Sequence, residues 1–291
     1  MAERFSRDSM RLGGILTAMV TPFDSEGGFD EDATVRLIHH LLENGSDGLV
    51  LAGTTGEGAT LTDEEKVRLW ELGVAESGEA PIIAGTGTYD TRHSVELTER
   101  AHEVGVDAML VVTPYYVRPN RRGIKAHYEA VAAATDRPIV AYNIPSRTAT
   151  DMPNDLLAEL AEIDNVAAVK QARYEDLAPI EGMDLLAGND DVLAKVMELG
   201  GTGGILVSSH LVGSEMRRIV DEPERRHEIE DGLRDLYKAM SVTVNPIPVK
   251  TAMNMIGMEV GPLRLPMVDA SDEERAVIRE ALERHNLLAA V

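Results

Sequence analysis

The 291-residue sequence contains no cysteine, has few aromatic residues and lacks any apolar run long enough to cross a membrane, which takes about 20 residues. Without cysteine, the chain cannot form disulfides, cysteine-ligated metal sites or thiolate nucleophiles. Residues 1–6 do not have the pattern of a signal peptide. We therefore expect a cytoplasmic protein without a membrane partner.

Positive charge is also scarce, with 28 Lys and Arg residues against 50 Asp and Glu residues and a formal net charge of −22. Phosphates would be repelled by this charge, so we expect no nucleic-acid partner. The eight histidines show no metal-ligand spacing, and we expect no metal site. Hydrophobic residues make up 44% of the chain, which allows a large core and excludes extensive disorder.

Short apolar runs alternate with amphipathic stretches along most of the chain. The runs that predict strands are 14–23, 48–53, 81–84, 108–112, 138–142, 166–169, 185–187 and 205–207. Nearly continuous apolar strands separated by helices indicate a parallel sheet that is covered on both faces. Eight such units favour a closed (β/α)8 barrel, the TIM barrel. A doubly wound open sheet is less favoured, because no Gly-x-Gly-x-x-Gly motif follows the first strand.

The pattern becomes purely helical after about residue 224. Helical stretches are predicted at 224–240, 246–257 and 272–287. We therefore divide the chain into a catalytic barrel at 13–223 and a C-terminal helical appendage at 224–291, packed on the barrel. In this division the α/β barrel is the main body of the molecule, and the C-terminal helices are not an independent domain.

Lys170 differs from the other five lysines because it directly follows an apolar strand, 166–169. An ordinary lysine has a pKa of about 10.4, so holding it half-neutral at pH 7 takes about 4.6 kcal/mol. Burial and a nearby cation such as Arg147 could supply this free energy, and the neutral amine would be a nucleophile. The alternative is a lysine that merely reaches from the strand end to a carboxylate.

Other polar side chains also follow predicted strands, where active sites of barrels form. Thr54 and Thr55 precede a glycine, and hydroxyls and main-chain N–H groups in such a turn suit a small carboxylate. Tyr142 and Tyr116 could transfer protons, although tyrosines at strand ends more often serve packing. Arg147 could bind a second carboxylate or simply pair with an acidic neighbour.

Five motifs together give the chain a specific resemblance to the class I aldolase superfamily of dihydrodipicolinate synthase and N-acetylneuraminate lyase. The motifs are GTTGE at 53–57, TPYY at 113–116, YNIPSRT at 142–148, NPIPVK at 245–250 and RLPM at 264–267. The similarity extends over roughly residues 14–287. It implies a (β/α)8 barrel that needs no cofactor and that condenses pyruvate with aspartate 4-semialdehyde through a Schiff base, in lysine and diaminopimelate biosynthesis.

The resemblance also implies catalytic roles. Lys170 would form the Schiff base with the ketone of pyruvate, and Tyr142 would donate and accept protons there. Thr54 would connect Tyr142 to Tyr116. In the family the tyrosine that matches Tyr116 reaches into the site of a neighbouring subunit, which implies a homo-oligomer, either a dimer or a tetramer.

The same resemblance implies substrate-binding roles. Thr54 and Thr55 would hold the carboxylate of pyruvate, and the backbone of Ile205 would line its pocket. Arg147 would bind the carboxylate of the semialdehyde. Gly188, at the end of the seventh predicted strand, is also assigned to substrate binding.

Two departures from the family pattern bear on specificity. Lys170 is followed by Gln-Ala-Arg-Tyr at 171–174 in place of an acidic residue and small residues. This leaves another pyruvate-dependent aldolase, such as one for 2-keto-3-deoxy sugar acids, as the alternative activity, and a non-catalytic oxo-acid binder as an alternative of another class. The positions that match the family's lysine feedback site hold Asp63, Tyr89 and His93, so we expect weak or absent inhibition by lysine.

Overall fold

The computed structural model describes residues 12–288, and within them eight parallel strands close into a barrel in chain order. The strands are β1 (Gly14–Ala18), β2 (Gly48–Leu51), β3 (Ile82–Gly85), β4 (Ala108–Val112), β5 (Ile139–Asn143), β6 (Val166–Gln171), β7 (Asp184–Ala187) and β8 (Gly203–Leu206). β1 pairs with both β2 and β8, which closes the sheet without a free edge. The predicted (β/α)8 barrel is confirmed.

Helices cover the outside of the barrel and form the C-terminal part of the described chain. They are α1 (Glu31–Glu43), α2 (Asp63–Glu76), α3 (Thr91–Val104), α4 (Arg121–Ala132), α5 (Pro145–Thr148), α6 (Asn154–Leu160), α7 (Leu193–Glu198), α8 (Ser209–Asp221), α9 (Arg226–Gly232), α10 (Arg234–Ala239), α11 (Ile247–Met255) and α12 (Asp272–Arg284). A short 3-10 helix at Asp190–Val192 precedes α7. The predicted helix at 224–240 consists of two helices, α9 and α10.

Local sequence signals explain where several helices begin and end. At the start of α2, the Thr62 hydroxyl accepts a hydrogen bond from the main-chain N–H of Glu65, and the Glu65 carboxylate accepts one from that of Thr62. This capping box satisfies main-chain donors that the first helical turn leaves free. α3 ends at Gly105, whose φ of 90° is easily adopted by glycine.

The alternating pattern also predicts a helix or a short helical piece after each of the eight strands, and this prediction is wrong at β6. Within the described chain, residues 172–183 form turns and one isolated antiparallel bridge, between Ile180 and Met183, and contain no helix. Pro179 and Gly182 interrupt this segment, since proline lacks a main-chain donor and Gly182 has a φ of 79°. The carboxyl end of β6 therefore leads directly into an irregular loop.

The register of β5 and β6 places two candidate residues side by side. Tyr142 is the partner of Lys170 in the strand pairing. Side chains along a strand alternate between its two faces, so Lys170 lies on the same face as Ala168, and Tyr142 on the same face as Val140. Because Ala168, Val140 and Tyr142 belong to the apolar cluster inside the barrel, Lys170 also points to the interior.

The C-terminal helices share the outer hydrophobic core with the barrel. Leu236, Val249 and Ile278, from α10, α11 and α12, belong to the same buried cluster as barrel residues such as Leu51 and Val169. The boundary between residues 223 and 224 falls between α8 and α9 and remains a prediction. Among residues 12–288, no helix combines the length and the apolar character that crossing a membrane requires.

Candidate active site

A cavity of about 520 Å³ opens at the carboxyl ends of the strands and contains most of the predicted site residues. Those that line it are Thr54, Thr55, Tyr142, Arg147, Lys170 and Gly188. A second cavity of about 450 Å³ shares Thr54, Tyr142 and Arg147 with the first. Residues from the β2, β5, β6 and β7 ends of the barrel thus meet in one place, as parallel strands require.

Lys170 is the buried amine of this cavity, with a side chain that leaves the residue only 5% exposed. Its Nζ lies 4.3 Å from the centre of the Tyr142 ring. The pKa of Lys170 is lowered to about 7, mainly by burial, with the Asp190 carboxylate acting to raise it and the Arg147 guanidinium acting to lower it. A large share of this amine is therefore neutral near pH 7 and able to act as a nucleophile.

Asp190 is a site residue that the sequence reasoning passed over. Its carboxylate accepts hydrogen bonds from the Val207 N–H at 2.9 Å and from the N–H and hydroxyl of Ser208 at 2.9 and 2.6 Å. Burial raises the pKa of Asp190, while these donors lower it. Its place after β7, two residues beyond Gly188, was the available signal. Nothing in the sequence showed that it would face Lys170.

The Tyr142 hydroxyl lies in the same cavity as Lys170, and it is uncharged at neutral pH. Burial raises the pKa of Tyr142 to about 12, and Arg147 and the Thr54 hydroxyl act in the opposite direction. At neutral pH this phenol keeps its proton and can donate it, and Thr54 stands beside it. The pair can therefore carry a proton to or from an atom bound at Lys170.

Two of the predicted carboxylate-binding residues, Thr55 and Arg147, contact Asn245. The Asn245 side-chain Nδ2 donates to the Thr55 hydroxyl oxygen at 3.0 Å. Arg147 Nη2 donates to the main-chain oxygen of Asn245, also at 3.0 Å. Thr55 is buried whereas Arg147 is exposed at the mouth, so the cavity has an anion-binding group at its base and another at its entrance.

Two predicted site residues lie outside both cavities. Tyr116 is 90% exposed, with a φ of 68°, and contributes to neither cavity wall. Ile205 is completely buried on β8, where it pairs with Leu16. Within one subunit, therefore, Tyr116 does not complete the set of residues around Lys170.

The two bulky residues after Lys170 point in different directions. Arg173 donates to Asp151 at 2.8 Å and to Asn154 at 3.0 Å, which holds it against α6. Tyr174 lines the cavity and donates to Asp191 at 3.2 Å. Of this pair, therefore, Tyr174 is the residue that lines the cavity.

The residues at the positions of the family's feedback site line the second cavity. His93 Nε2 lies 2.9 Å from Asp63 Oδ2, and Lys66 Nζ lies 3.4 Å from Asp63 Oδ1. The Asp63 carboxylate thus already has two cationic or protonatable partners. Tyr89 is exposed and packs edge to face on Tyr115.

The polar groups of the site are an amine, hydroxyls, a guanidinium and a carboxylate. In the part of the chain that the structure describes, no group of three or more His, Asp or Glu side chains is arranged to hold a metal ion. A neutral buried amine beside proton-donating hydroxyls and carboxylate-binding groups is suited to forming a Schiff base with an oxo acid. The geometry therefore provides for a covalent step at Lys170.

Known proteins resemble this chain over nearly its full length. The family model described as the dihydrodipicolinate synthetase family matches residues 11–285. A protein of Moorella thermoacetica named 4-hydroxy-tetrahydrodipicolinate synthase is 44% identical, over 96% of this chain and 100% of its own.

Solved structures agree with that similarity. A dihydrodipicolinate synthase of Cyanidioschyzon merolae with lysine bound has a TM-score of 0.91 and 36% identity, over 95% of this chain and 99% of its own. The chloride-inhibited enzyme of Acinetobacter baumannii complexed with pyruvate has a TM-score of 0.92 and 32% identity, over 96% and 100%. With sequence, family model and fold in agreement, the chain belongs to the dihydrodipicolinate synthetase family.

Proposed function

We propose that the protein is a 4-hydroxy-tetrahydrodipicolinate synthase, which condenses pyruvate with aspartate 4-semialdehyde through a Schiff base. The observation that carries this proposal is the buried Lys170 amine, with a pKa of about 7, in a cavity that also holds Tyr142 and Thr55. The activities of the named relatives support it. A cytoplasmic location fits this role.

The reaction begins at the Lys170 amine. Its Nζ attacks the ketone carbon of pyruvate, and loss of water gives a protonated imine. The imine withdraws electrons from the neighbouring methyl group, which then loses a proton to give an enamine. The enamine carbon attacks the aldehyde carbon of the semialdehyde, and the aldehyde oxygen takes up a proton. The amino group that came with the semialdehyde then attacks the imine carbon, which closes the ring of the product, breaks the bond to Lys170 Nζ and returns the proton to this amine. The free amine is regenerated, so the protein needs no cofactor.

The surrounding groups serve proton transfer and orientation. Tyr142, whose pKa of about 12 keeps it protonated, donates a proton to the departing hydroxyl and takes one back, with Thr54 as its neighbour. Thr54 and Thr55 bind the carboxylate of pyruvate. Gly188 lines the same cavity, whereas Ile205, buried on β8, forms no part of its wall.

Tyr116 takes part through a second subunit. It is 90% exposed on its own subunit, where a proton-transfer group would be of no use to Lys170. We infer a homo-oligomer, either a dimer or a tetramer, in which each Tyr116 completes the relay of a partner.

Arg147 favours the synthase activity over the alternative activity of a sugar-acid aldolase. A guanidinium at the entrance binds the short carboxylate of the semialdehyde, whereas a sugar-acid aldolase must recognise hydroxyl groups there. The bulky Tyr174 side chain lines the same cavity and leaves less room for a long polyhydroxylated aldehyde than the small residue of the family pattern would. The 2-keto-3-deoxy sugar acid activity is therefore the weaker candidate.

Two measurements test the proposal. Incubation with pyruvate and borohydride, followed by mass spectrometry, should give one covalent adduct that Lys170→Ala abolishes and that Lys195→Ala, at an exposed lysine, leaves intact. With pyruvate present, aspartate semialdehyde should be consumed much faster than glyceraldehyde. The absence of any adduct would instead favour a non-catalytic binder, and preference for glyceraldehyde would favour the sugar-acid aldolase.

A further inference from the structure

Asn245 lies in the connection between α10 and α11 and contacts both groups that the proposed function assigns to carboxylates. Its Nδ2 donates to Thr55 Oγ1 at 3.0 Å, across 190 positions of sequence. Its main-chain oxygen accepts from Arg147 Nη2 at 3.0 Å. Asn245 also lines both cavities. One residue of the C-terminal region thus lies between the base and the entrance of the site.

We propose that Asn245 is a positioning residue that fixes the direction of the Thr55 hydroxyl, so that Thr55 donates its proton to the carboxylate of pyruvate. The proposal rests on the proposed function and extends it to a residue that does not itself touch the reacting atoms. It concerns binding of the first substrate, before any carbon–carbon bond forms.

The argument depends on what a hydroxyl can do. A threonine hydroxyl has one proton to donate and two lone pairs to accept with. Because Asn245 donates to Thr55, one lone pair is occupied and the proton remains available to the cavity. A hydrogen bond from this proton to a carboxylate is charge-assisted and stronger than a neutral one.

The other end of the Asn245 amide supports this orientation. Asn245 Oδ1 is buried and has no hydrogen-bond partner among residues 12–288. Leaving a buried acceptor without a partner is unfavourable, so such an arrangement needs a compensating gain. Rotating the amide by a half-turn would leave its two donors unsatisfied and would take up the Thr55 proton. The structure keeps the donor directed at Thr55.

The segment that carries Asn245 is anchored at its far end. Lys250, five residues along, donates to Glu57 Oε1 at 2.7 Å in a fully buried pair. Glu57 and Thr55 lie on the same loop after β2. The segment 245–250 therefore contacts this loop at two points, one at each end, and the buried ion pair limits how far Asn245 can move from Thr55.

The side chain and the main chain of Asn245 have separate effects. Substitution of the side chain removes the contact to Thr55 but keeps the main-chain oxygen that accepts from Arg147. The proposal therefore predicts different effects on the two substrates. Variants at Asn245 should weaken pyruvate binding and leave the KM for the semialdehyde nearly unchanged.

The decisive variant is Asn245→Asp, which keeps the shape of the side chain and reverses its hydrogen-bond polarity. Asp at this position would accept the Thr55 proton and place a negative charge near the substrate carboxylate. In borohydride trapping, we expect the half-saturating pyruvate concentration to rise about ten- to hundredfold, the range for a hydrogen bond to a charged group. Asn245→Ala, which only removes the donor, should have a smaller effect.

A double-mutant cycle with Thr55→Val provides the matched control. If Asn245 acts through Thr55, then adding Asn245→Ala to Thr55→Val should cause no further loss of pyruvate binding. The cycle also decides the question if Asn245→Asp does not fold, which thermal unfolding would reveal.

Several results would overturn the proposal. These are an unchanged pyruvate concentration for Asn245→Asp, additive effects of Asn245→Ala and Thr55→Val, or an equal rise in KM for both substrates. Each leaves the proposed function standing, because the wild-type protein would still trap pyruvate. A wild-type protein that traps no pyruvate would instead refute the proposed function.

Discussion

Lys250 and Glu57 form an ion pair with a Nζ to Oε1 distance of 2.7 Å, and their side chains are 0% and 2% exposed. Lys250 Nζ also lies 4.0 Å from the centre of the Phe23 ring, and the second Glu57 oxygen accepts from the Arg264 N–H at 2.9 Å. The carboxylate and the ammonium thus form a hydrogen bond with each other at a position that water does not reach. The pair joins the loop that carries Thr55 to helix α11.

Removing one partner of this pair should strongly destabilise the protein. Lys250→Met leaves Glu57 buried without its counter-charge, and we expect the free energy of unfolding to fall by about 3–5 kcal/mol. Lys195→Met, which breaks the exposed pair with Glu198, should cost at most about 1 kcal/mol. Denaturant unfolding measures both. Equal losses in the two variants would show that burial of the Lys250 pair has no special role.

Schiff-base formation should increase with pH through about 7. Lys170 attacks only as the neutral amine, and with a pKa of about 7 its neutral fraction rises from roughly a tenth at pH 6 to roughly nine tenths at pH 8. The rate of borohydride-trapped adduct formation, measured against pH, gives the midpoint directly. A midpoint near the ordinary lysine pKa would contradict the buried environment.

Two charge substitutions should move that midpoint in opposite directions. The Asp190 carboxylate raises the pKa of Lys170, so Asp190→Asn should shift the profile to lower pH. The Arg147 guanidinium lowers it, so Arg147→Gln should shift the profile to higher pH. Trapping with pyruvate alone avoids the effect of Arg147 on the second substrate. Shifts in the same direction for both variants would refute this electrostatic account.

Tyr142→Phe should retain the fold and lose most of the activity. The change removes a protonated hydroxyl from beside Lys170, and general acid–base groups typically contribute about 10²- to 10⁴-fold to a rate. Tyr128→Phe is the matched control: this buried tyrosine donates to the Val111 main-chain oxygen and lines neither cavity around Lys170. It should lose stability and keep the trapping rate. Steady-state kinetics and thermal unfolding separate the two effects.

Mixed oligomers test the role of Tyr116. Tyr116→Phe and Lys170→Ala should each be nearly inactive when pure, because each lacks one part of a shared site. If Tyr116 serves the site of a partner subunit, mixing and reassembling the two variants should restore part of the activity. Activity no higher than the average of the pure variants would show that Tyr116 does not serve the site of a partner subunit.

Lysine should inhibit weakly. Asp63 is already bound by His93 at 2.9 Å and by Lys66 at 3.4 Å, so its carboxylate is not free for the ammonium group of an added amino acid. Steady-state rates with millimolar lysine should remain close to those without it. Strong inhibition would mean that these three side chains rearrange.

The alternation of apolar runs and helices was sufficient to predict the barrel, because burial on both faces leaves a distinct pattern in each strand. The capping box at Thr62 can likewise be recognised in the sequence, since it depends on two residues that are three positions apart. The missing helix after β6 was not predicted, although Pro179 and Gly182 were signals against it.

Only part of the site could be predicted from the sequence. Lys170, Tyr142 and Arg147 could be singled out because each lies at or just after the carboxyl end of a strand, and these ends meet at the mouth of a barrel. Asp190 and Asn245 were missed because their importance comes from contacts across the fold. Asn245 lies 190 positions from Thr55, a distance that no local pattern spans.

The ion pair between Lys250 and Glu57 has a consequence for biosynthesis of the protein. Its partners are 193 positions apart, so a nascent chain exposes the Glu57 loop long before Lys250 leaves the ribosome. Until then the loop has an acidic side chain without its counter-charge and a threonine without its donor. We therefore expect the loop after β2 to reach its final arrangement, and the enzyme to gain its activity, only after α11 has docked on the barrel.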